Sequence, residues 1–254
     1  MVYVNLIFRQ YAAQTPTLSR FRTLWLAQTA KYSLTKWPIY TEYKLGIPFM
    51  RIVLGSSSPY RAILLKRIIT DFDIASPDID ESPLLNEDPT ALVLRLAESK
   101  AQRIAEDWDN HLIISSDQVA LLANDEPLSP NHKQTEQYQI LNKPSNFERA
   151  YQQLSNCSGK RVIYRTACCV LNSRTDSKHV FYDDYCLNFK DLTEAQIKNY
   201  LLREQPYDCA GAIKSEGLGV ALIASYKGND PATLIGLPLI KLIDALDKER
   251  YPIL

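Results

Sequence analysis

Arg51-Ile-Val-Leu-Gly55, running directly into Ser56-Ser57-Ser58-Pro59, is the stretch on which the fold turns. A short apolar run without helical spacing reads as a buried strand. A hydroxyl residue followed by proline reads as an N-cap and the first position of a helix. A strand that delivers its chain straight into a helix N-terminus opens an α/β unit, and the alternation continues downstream. The spacing predicts that this helix runs to about residue 69, with Leu64, Leu65 and Ile68 on one face. A second helix over 89–108 carries Leu92, Val93, Leu96, Ala97, Ile104 and Trp108 on its stripe. A strand over 112–116 ends at Asp117, a polar stretch occupies 124–139, and a helix covers 146–154. Strands follow at 162–171 and 180–189, and Thr193-Glu-Ala-Gln196 forms a capping box for a helix to about 203. The chain closes with a strand over 218–225, a Gly228-Asn-Asp-Pro231 turn and a helix over 232–248. The expected architecture is a mixed or mostly parallel sheet with covering helices.

Composition bounds the rest. With 254 residues, 46% hydrophobic and 23% charged, the chain is neither disordered, collagen-like nor a coiled-coil rod. No run reaches the roughly 18 apolar residues of a membrane span, so a soluble protein with no membrane partner is expected. The five cysteines, Cys157, Cys168, Cys169, Cys186 and Cys209, form no C-x-x-C pair, which suggests reduced thiols and a cytoplasmic protein. Residues 1–49 carry six cations (Arg9, Arg20, Arg22, Lys31, Lys36 and Lys44) against Glu42 alone, a net +5, leaving 23 against 28, or −5, for the remainder. This basic N-terminal extension reads either as a targeting arm or as an upstream extension before a start at Met50. The second reading is favoured, because the segment lacks helical periodicity and an apolar region followed by a cleavage site; it is expected to be disordered. A net acidic remainder without a basic stripe argues against a nucleic-acid partner.

Chemistry gathers at the ends of the predicted elements. Ser56, Ser57 and Ser58 place hydroxyls and free N–H groups at a helix N-terminus, with Arg61 in its first turn. That is an anion site, although a capped helix with a surface arginine looks the same. Lys100 lies four residues from both Leu96 and Ile104 and so points along an apolar stripe. It must snorkel or find an anion. Asp117 follows an apolar strand, where α/β sheets build their sites; it suits a metal, a water or a turn. Asp78-Ile-Asp80-Glu81 adds acidic groups. Together, Arg61, Lys100 and Lys143 with Glu81 and Asp117 form the set that metal-assisted attack of water on a nucleotide phosphate requires. No Walker A, G-x-G-x-x-G or G-x-S-x-G motif occurs.

Seven short motifs occur in register: Leu54-Gly-Ser-Ser-Ser-Pro-Tyr-Arg61, Asp80-Glu81, Leu96-Ala-x-x-Lys-Ala101, Ser116-Asp-Gln118, Asn142-Lys-Pro144, Cys209-Ala-Gly-Ala-Ile-Lys-Ser-Glu-Gly217 and Gly236-Leu-Pro-Leu239. In this order they resemble the Maf-like nucleotide pyrophosphatases, most closely the YceF-type subfamily of 7-methyl-GTP pyrophosphatases. The resemblance spans essentially everything after Met50, which makes residues 50–254 one catalytic domain. It implies an α/β fold of the Maf/ITPase-like kind, a mixed sheet with flanking helices and a central cleft between two lobes. It implies hydrolysis of the α–β phosphate bond of a nucleoside triphosphate with a divalent metal, Mg or Mn. Asp117 would be the proton acceptor or metal-linked carboxylate and Glu81 a second acidic group at the metal. Arg61, Lys100 and Lys143 would cradle the triphosphate, with Ser56 and Ser57 donating to it.

The positions that match the family's specificity determinants are Tyr60, Gln118 and Glu216. Their chemistry suits N7-methylated guanine, whose positive charge favours an aromatic face by roughly 0.5–2 kcal/mol and a carboxylate that accepts from N1–H and the exocyclic amine. Relatives acting on pyrimidine nucleotides typically have Arg, Thr and Gln there. The subfamily usually has Trp at the place of Tyr60, which weakens the stacking face and loosens the expected selectivity. The stretch 125–140 is longer than the family's usual turn and is expected to bulge as a surface loop. Family members are commonly homodimers, and the sequence marks no interface. The alternatives are a pyrophosphatase for dTTP or UTP and, from the resemblance, a nucleotide-responsive regulator of septum formation in cell division.

Overall fold

The computed structural model describes residues 50–123 and 138–254. Residues 1–49, and with them the expected basic extension, lie outside it, as does most of the 125–140 insertion. Among the described residues seven strands form one mixed sheet in the order β2-β1-β3-β5-β6-β7, with β4 also paired to β3. They are β1 (Arg51–Gly55), β2 (Asp73–Ala75), β3 (His111–Ala123), β4 (Tyr138–Leu141), β5 (Arg161–Asn172), β6 (Ser177–Phe189) and β7 (Ile223–Lys227). β1 runs parallel to β2 and β3, whereas β4 to β7 join antiparallel. The expected mixed sheet with flanking helices is therefore what the chain forms.

The helices are α1 (Pro59–Leu65), α2 (Pro89–Ala105), α3 (Phe147–Cys157), α4 (Glu194–Glu204), α5 (Pro231–Ile235) and α6 (Leu239–Lys248). A side-chain cap starts five of these six, α6 being the exception. Ser58 caps α1 and Asp88 caps α2, each ahead of a proline, and Thr193 and Gln196 close the reciprocal capping box of α4. Two predicted elements need correction. The helix expected over 232–248 is two helices, because Gly236 adopts φ +120° and Pro238 removes a donor and stands as the N-cap of α6. The strand expected over 218–225 is a 3₁₀ turn (Leu218–Leu222) leading into β7. β2 and β4, with three and four residues, are too short to show a period.

The third correction concerns β3, which does not end before Asp117 but continues for 13 residues. Its middle, Ser115-Ser-Asp-Gln118, is polar and yet fully within the strand. Alternation places side chains on opposite faces. Leu112 and Ile114 enter a core beneath α1 and α6, Ile113, Val119 and Leu121 enter a core beneath α2, and Ala120 and Leu122 enter a third core beneath α3 and α4. On one face the polar tetrad falls where the core beneath α1 and α6 gives way to that beneath α3 and α4, while on the other face the core beneath α2 runs past it. β1 pairs with β3 from Arg51↔His111 and no further than Gly55↔Ser115, and β4 begins pairing at Ala120↔Leu141. One edge of β3 is thus left open at residues 116–119, and the chain leaving β1 turns away there into α1.

Candidate active site

A cavity of about 420 Å³ opens at this gap, and all ten residues expected to act on substrate line it: Ser56, Ser57, Tyr60, Arg61, Glu81, Lys100, Asp117, Gln118, Lys143 and Glu216. They come from the turn between β1 and α1, α1 itself, the loop before α2, α2, β3 and two later loops. Tyr164, Asp208, Cys209, Leu234 and Ile235 complete part of the wall. Of these, only Cys209 belongs to a motif visible in the sequence; the rest are placed by pairing and packing across the sheet.

The acidic end centres on Lys100. Its position on the buried stripe of α2 takes Nζ to within 2.7 Å of Asp117 Oδ1 and 2.9 Å of Glu81 Oε2. Lys100 and Asp117 are both nearly buried, with side-chain exposures of 7% and 11%, whereas Glu81 stands 56% exposed at the mouth. The lysine therefore does not snorkel; it holds two carboxylates together. Glu81 reaches it from a loop without secondary structure, and that loop is clamped. Arg95, also on α2, makes a bidentate pair with Glu87 at 2.6 and 2.7 Å and donates to the Ser82 carbonyl at 3.1 Å. Nothing in the sequence pattern flagged Arg95 or Glu87, since an eight-residue separation across a helix start has no periodic signature.

Arg61 is aimed by backbone. Nε donates to the Gly236 carbonyl at 2.9 Å and Nη1 to Ser56 Oγ at 3.3 Å. Ser116 Oγ also donates to the Gly236 carbonyl, at 2.8 Å. Burial pulls the guanidinium below its ordinary pKa, opposed by the carboxylates of Asp117 and Glu81. Even so, a guanidinium stays cationic at neutral pH. Ser56 Oγ also accepts from the Ser58 N–H at 3.1 Å, which ties the serine turn to the same corner. Lys143 lies on the exposed turn after β4.

The far end carries the base-reading set. Tyr60 is half-buried, and burial together with Glu216 and Asp208 raises its phenol pKa, so it stays neutral. Lys214 donates to the Glu204 carbonyl at 3.1 Å, and its charge opposes those of Glu216 and Asp208 at Tyr60. Gln118 is more constrained than its sequence suggests. Its Nε2 donates to Thr166 Oγ1 at 2.8 Å and to the carbonyls of Thr233 and Leu234 at 2.9 and 3.1 Å. Burial, reinforced by Asp208, pushes the Cys209 thiol up to about 12, so it remains a thiol and is no nucleophile.

Among the described residues no group of three or more His, Cys, Asp or Glu side chains forms a metal cage. The donor set that is present, two adjoining carboxylates at an open cavity, fits a hard cation such as Mg²⁺, which takes one or two carboxylates and completes its shell with water and substrate phosphates.

The Maf-like protein family matches residues 51–249. Three relatives named 7-methyl-GTP pyrophosphatase align over 203 residues, or 80% of this chain. That of Nitrosococcus oceani is 47% identical with 95% of its own length covered, that of Methylobacillus flagellatus 44% with 98%, and that of Colwellia psychrerythraea 42% with 94%. Among solved structures, the Staphylococcus aureus Ham1 protein is matched at 16% identity and a TM-score of 0.36, over 56% of this chain and 72% of that one. With a match that begins in β1 and ends just beyond α6, and close relatives aligned over nearly their whole length, the chain belongs to the Maf family.

Proposed function

We propose that the chain is a nucleoside triphosphate pyrophosphatase that hydrolyses 7-methyl-GTP to 7-methyl-GMP and diphosphate. The observation that carries this reading is the one cleft that sets three cations beside two carboxylates and opens at its other end onto Tyr60, Gln118 and Glu216. The names of the aligned relatives support the same reaction.

In this reading Arg61, Lys143 and the serine turn hold the phosphates, and the base lies against Tyr60 with Glu216 accepting from its N–H groups. Asp117 accepts a proton from the water that attacks the α-phosphorus, the bond to the bridging oxygen breaks, and diphosphate leaves. Lys100 orients Asp117 and holds the two carboxylates adjacent. A divalent cation, Mg²⁺ or Mn²⁺, held by Asp117 and Glu81 would offset phosphate charge. A carboxylate at the base end and the absence of Arg, Thr and Gln from the three determinant positions favour a cationic purine over dTTP or UTP. A purely regulatory nucleotide sensor would not require two carboxylates braced by a buried lysine.

The finer placements are proposals of the same kind. Five free cysteines support a cytoplasmic setting, and no helix among the described residues is long and apolar enough to cross a membrane. A homodimer, common in the family, is tested by light scattering.

The test is turnover of 7-methyl-GTP, GTP, dTTP, UTP and CTP with Mg²⁺ or Mn²⁺, products being separated chromatographically. Preferential release of 7-methyl-GMP is expected, and Asp117→Asn should lower turnover by about a hundredfold or more while nucleotide binding by calorimetry persists. Preferred hydrolysis of a pyrimidine nucleotide would overturn the assignment of the base.

A further inference from the structure

Gln118, Thr166 and Asp183 form one cross-strand row. They pair Gln118↔Thr166 between β3 and β5 and Thr166↔Asp183 between β5 and β6, so their side chains share a face of the sheet. Above the row lies α5. Thr166 and Thr233 are both fully buried, and the hydrogen bonds linking them run in one direction only. Lys241 Nζ lies 2.8 Å from Asp183 Oδ1, and Thr233 Oγ1 donates to Asp183 Oδ2 at 2.8 Å. Thr166 Oγ1 donates to the Thr233 carbonyl at 2.7 Å. A hydroxyl has a single proton. Once Thr166 has given its proton to that carbonyl, it has only lone pairs for Gln118, and Gln118 must present its amino group. The carbonyls of Thr233 and Leu234 impose the same orientation.

We infer that Thr166 is a positioning residue for base selection: together with the carbonyls of Thr233 and Leu234 it holds the Gln118 amide with its amino group turned inward, leaving Oε1 as the group of that side chain that faces a nucleotide, so Gln118 reads donors and rejects acceptors. Oε1 accepts from no described residue, and the side chain lines the cleft. Thr166 itself is sealed from the cavity and acts only through Gln118. Every donor in the row has an acceptor, the kind of polar network that holds one geometry in place of several. Asp183 secures it from beneath by holding Thr233, and through Lys241 it joins α5 to α6. The inference rests on the pyrophosphatase reading for its consequence, but its physical content is separable.

Thr166→Val removes the hydroxyl at nearly constant volume, and Thr166→Ser restores it. Two readouts are taken on the full chain. The first is hydrogen exchange of the Gln118 side-chain amide by NMR, which should be slow in the parent and in Thr166→Ser and at least about fivefold faster in Thr166→Val, the equivalent of one lost hydrogen bond. The second is the ratio of kcat/KM for 7-methyl-GTP over UTP. It should fall by a similar factor in Thr166→Val through KM, with kcat within about twofold, and recover in Thr166→Ser. Unchanged amide exchange in Thr166→Val would sink the inference, as would lost protection with an unchanged selectivity ratio. Should the parent chain turn over no nucleotide, the proposed function fails, and the exchange comparison still decides whether Thr166 sets the amide.

Discussion

Lys100 shows how one buried charge organises a site. An ammonium and a carboxylate removed from water recover the lost hydration only if they meet with good geometry, and breaking such a pair from one side is strongly destabilising. Lys100→Met, which keeps the apolar stem, should therefore cost about 3–5 kcal/mol of stability in urea unfolding, because Asp117 is left buried opposite a methyl group. Adding Asp117→Asn to that variant should restore part of the loss, and a double-mutant cycle measures the coupling. Independent, additive losses would show that the ion pair is not the stabilising feature. The sequence placed Lys100 on a stripe where it had to find an anion, which is as far as helical periodicity reaches. It could not show that the anion is Asp117, because that depends on how α2 lies across β3.

At the scale of elements, α5 does more than its length suggests. Its five residues, together with Gly236, present the carbonyls that receive Ser116, Gln118, Thr166 and Arg61. Gly236 sits at φ +120°, and a Cβ there would meet Arg61 Nε at 3.2 Å. Gly236→Ala is expected to destabilise the fold by about 1–3 kcal/mol and, by displacing the guanidinium, to raise KM for triphosphates more than it lowers kcat; steady-state kinetics check the split. Elements whose causes are local were legible: the Ser58-Pro59 and Thr193–Gln196 caps name their helices outright. The second half of β3 was not. Its polar tetrad reads as a strand end, and its burial is explained only by partners such as Ala97, Ala167 and Gly236, which lie on other elements. Backbone carbonyls that aim site residues carry no side-chain signature at all. The break in the last helix was written in Gly236 and Pro238, and continuous apolar spacing on either side concealed it.

For the whole molecule, the C-terminal end is fastened by Glu249, whose carboxylate accepts from Asn172, Ser177 and His179 on the β5–β6 hairpin. Burial pushes its pKa up, but the three hydrogen bonds outweigh that and hold it below the ordinary carboxylate value. A depressed native pKa stabilises the folded state above the unfolded value and loses that contribution as pH falls through the native one. The parent should therefore exceed Glu249→Gln in Tm near neutrality, and the difference should shrink as the pH is taken below the ordinary carboxylate pKa. A difference that stays constant with pH would mean that the carboxylate contributes only packing.

On one of its faces β3 serves two separate cores, and this has an energetic consequence. Leu112 and Leu122 stand on the same strand and face in register, yet they belong to separate cores, about 33 Å apart along the chain at strand rise. Each Leu→Ala change should cost about 2–5 kcal/mol, and the two should add to within about 0.5 kcal/mol. Native-state hydrogen exchange should show the two halves opening with different free energies. On the opposite face Ile113, Val119 and Leu121 share the core beneath α2, so the strand is a spine that ties the two separate cores together beneath the floor of the cleft.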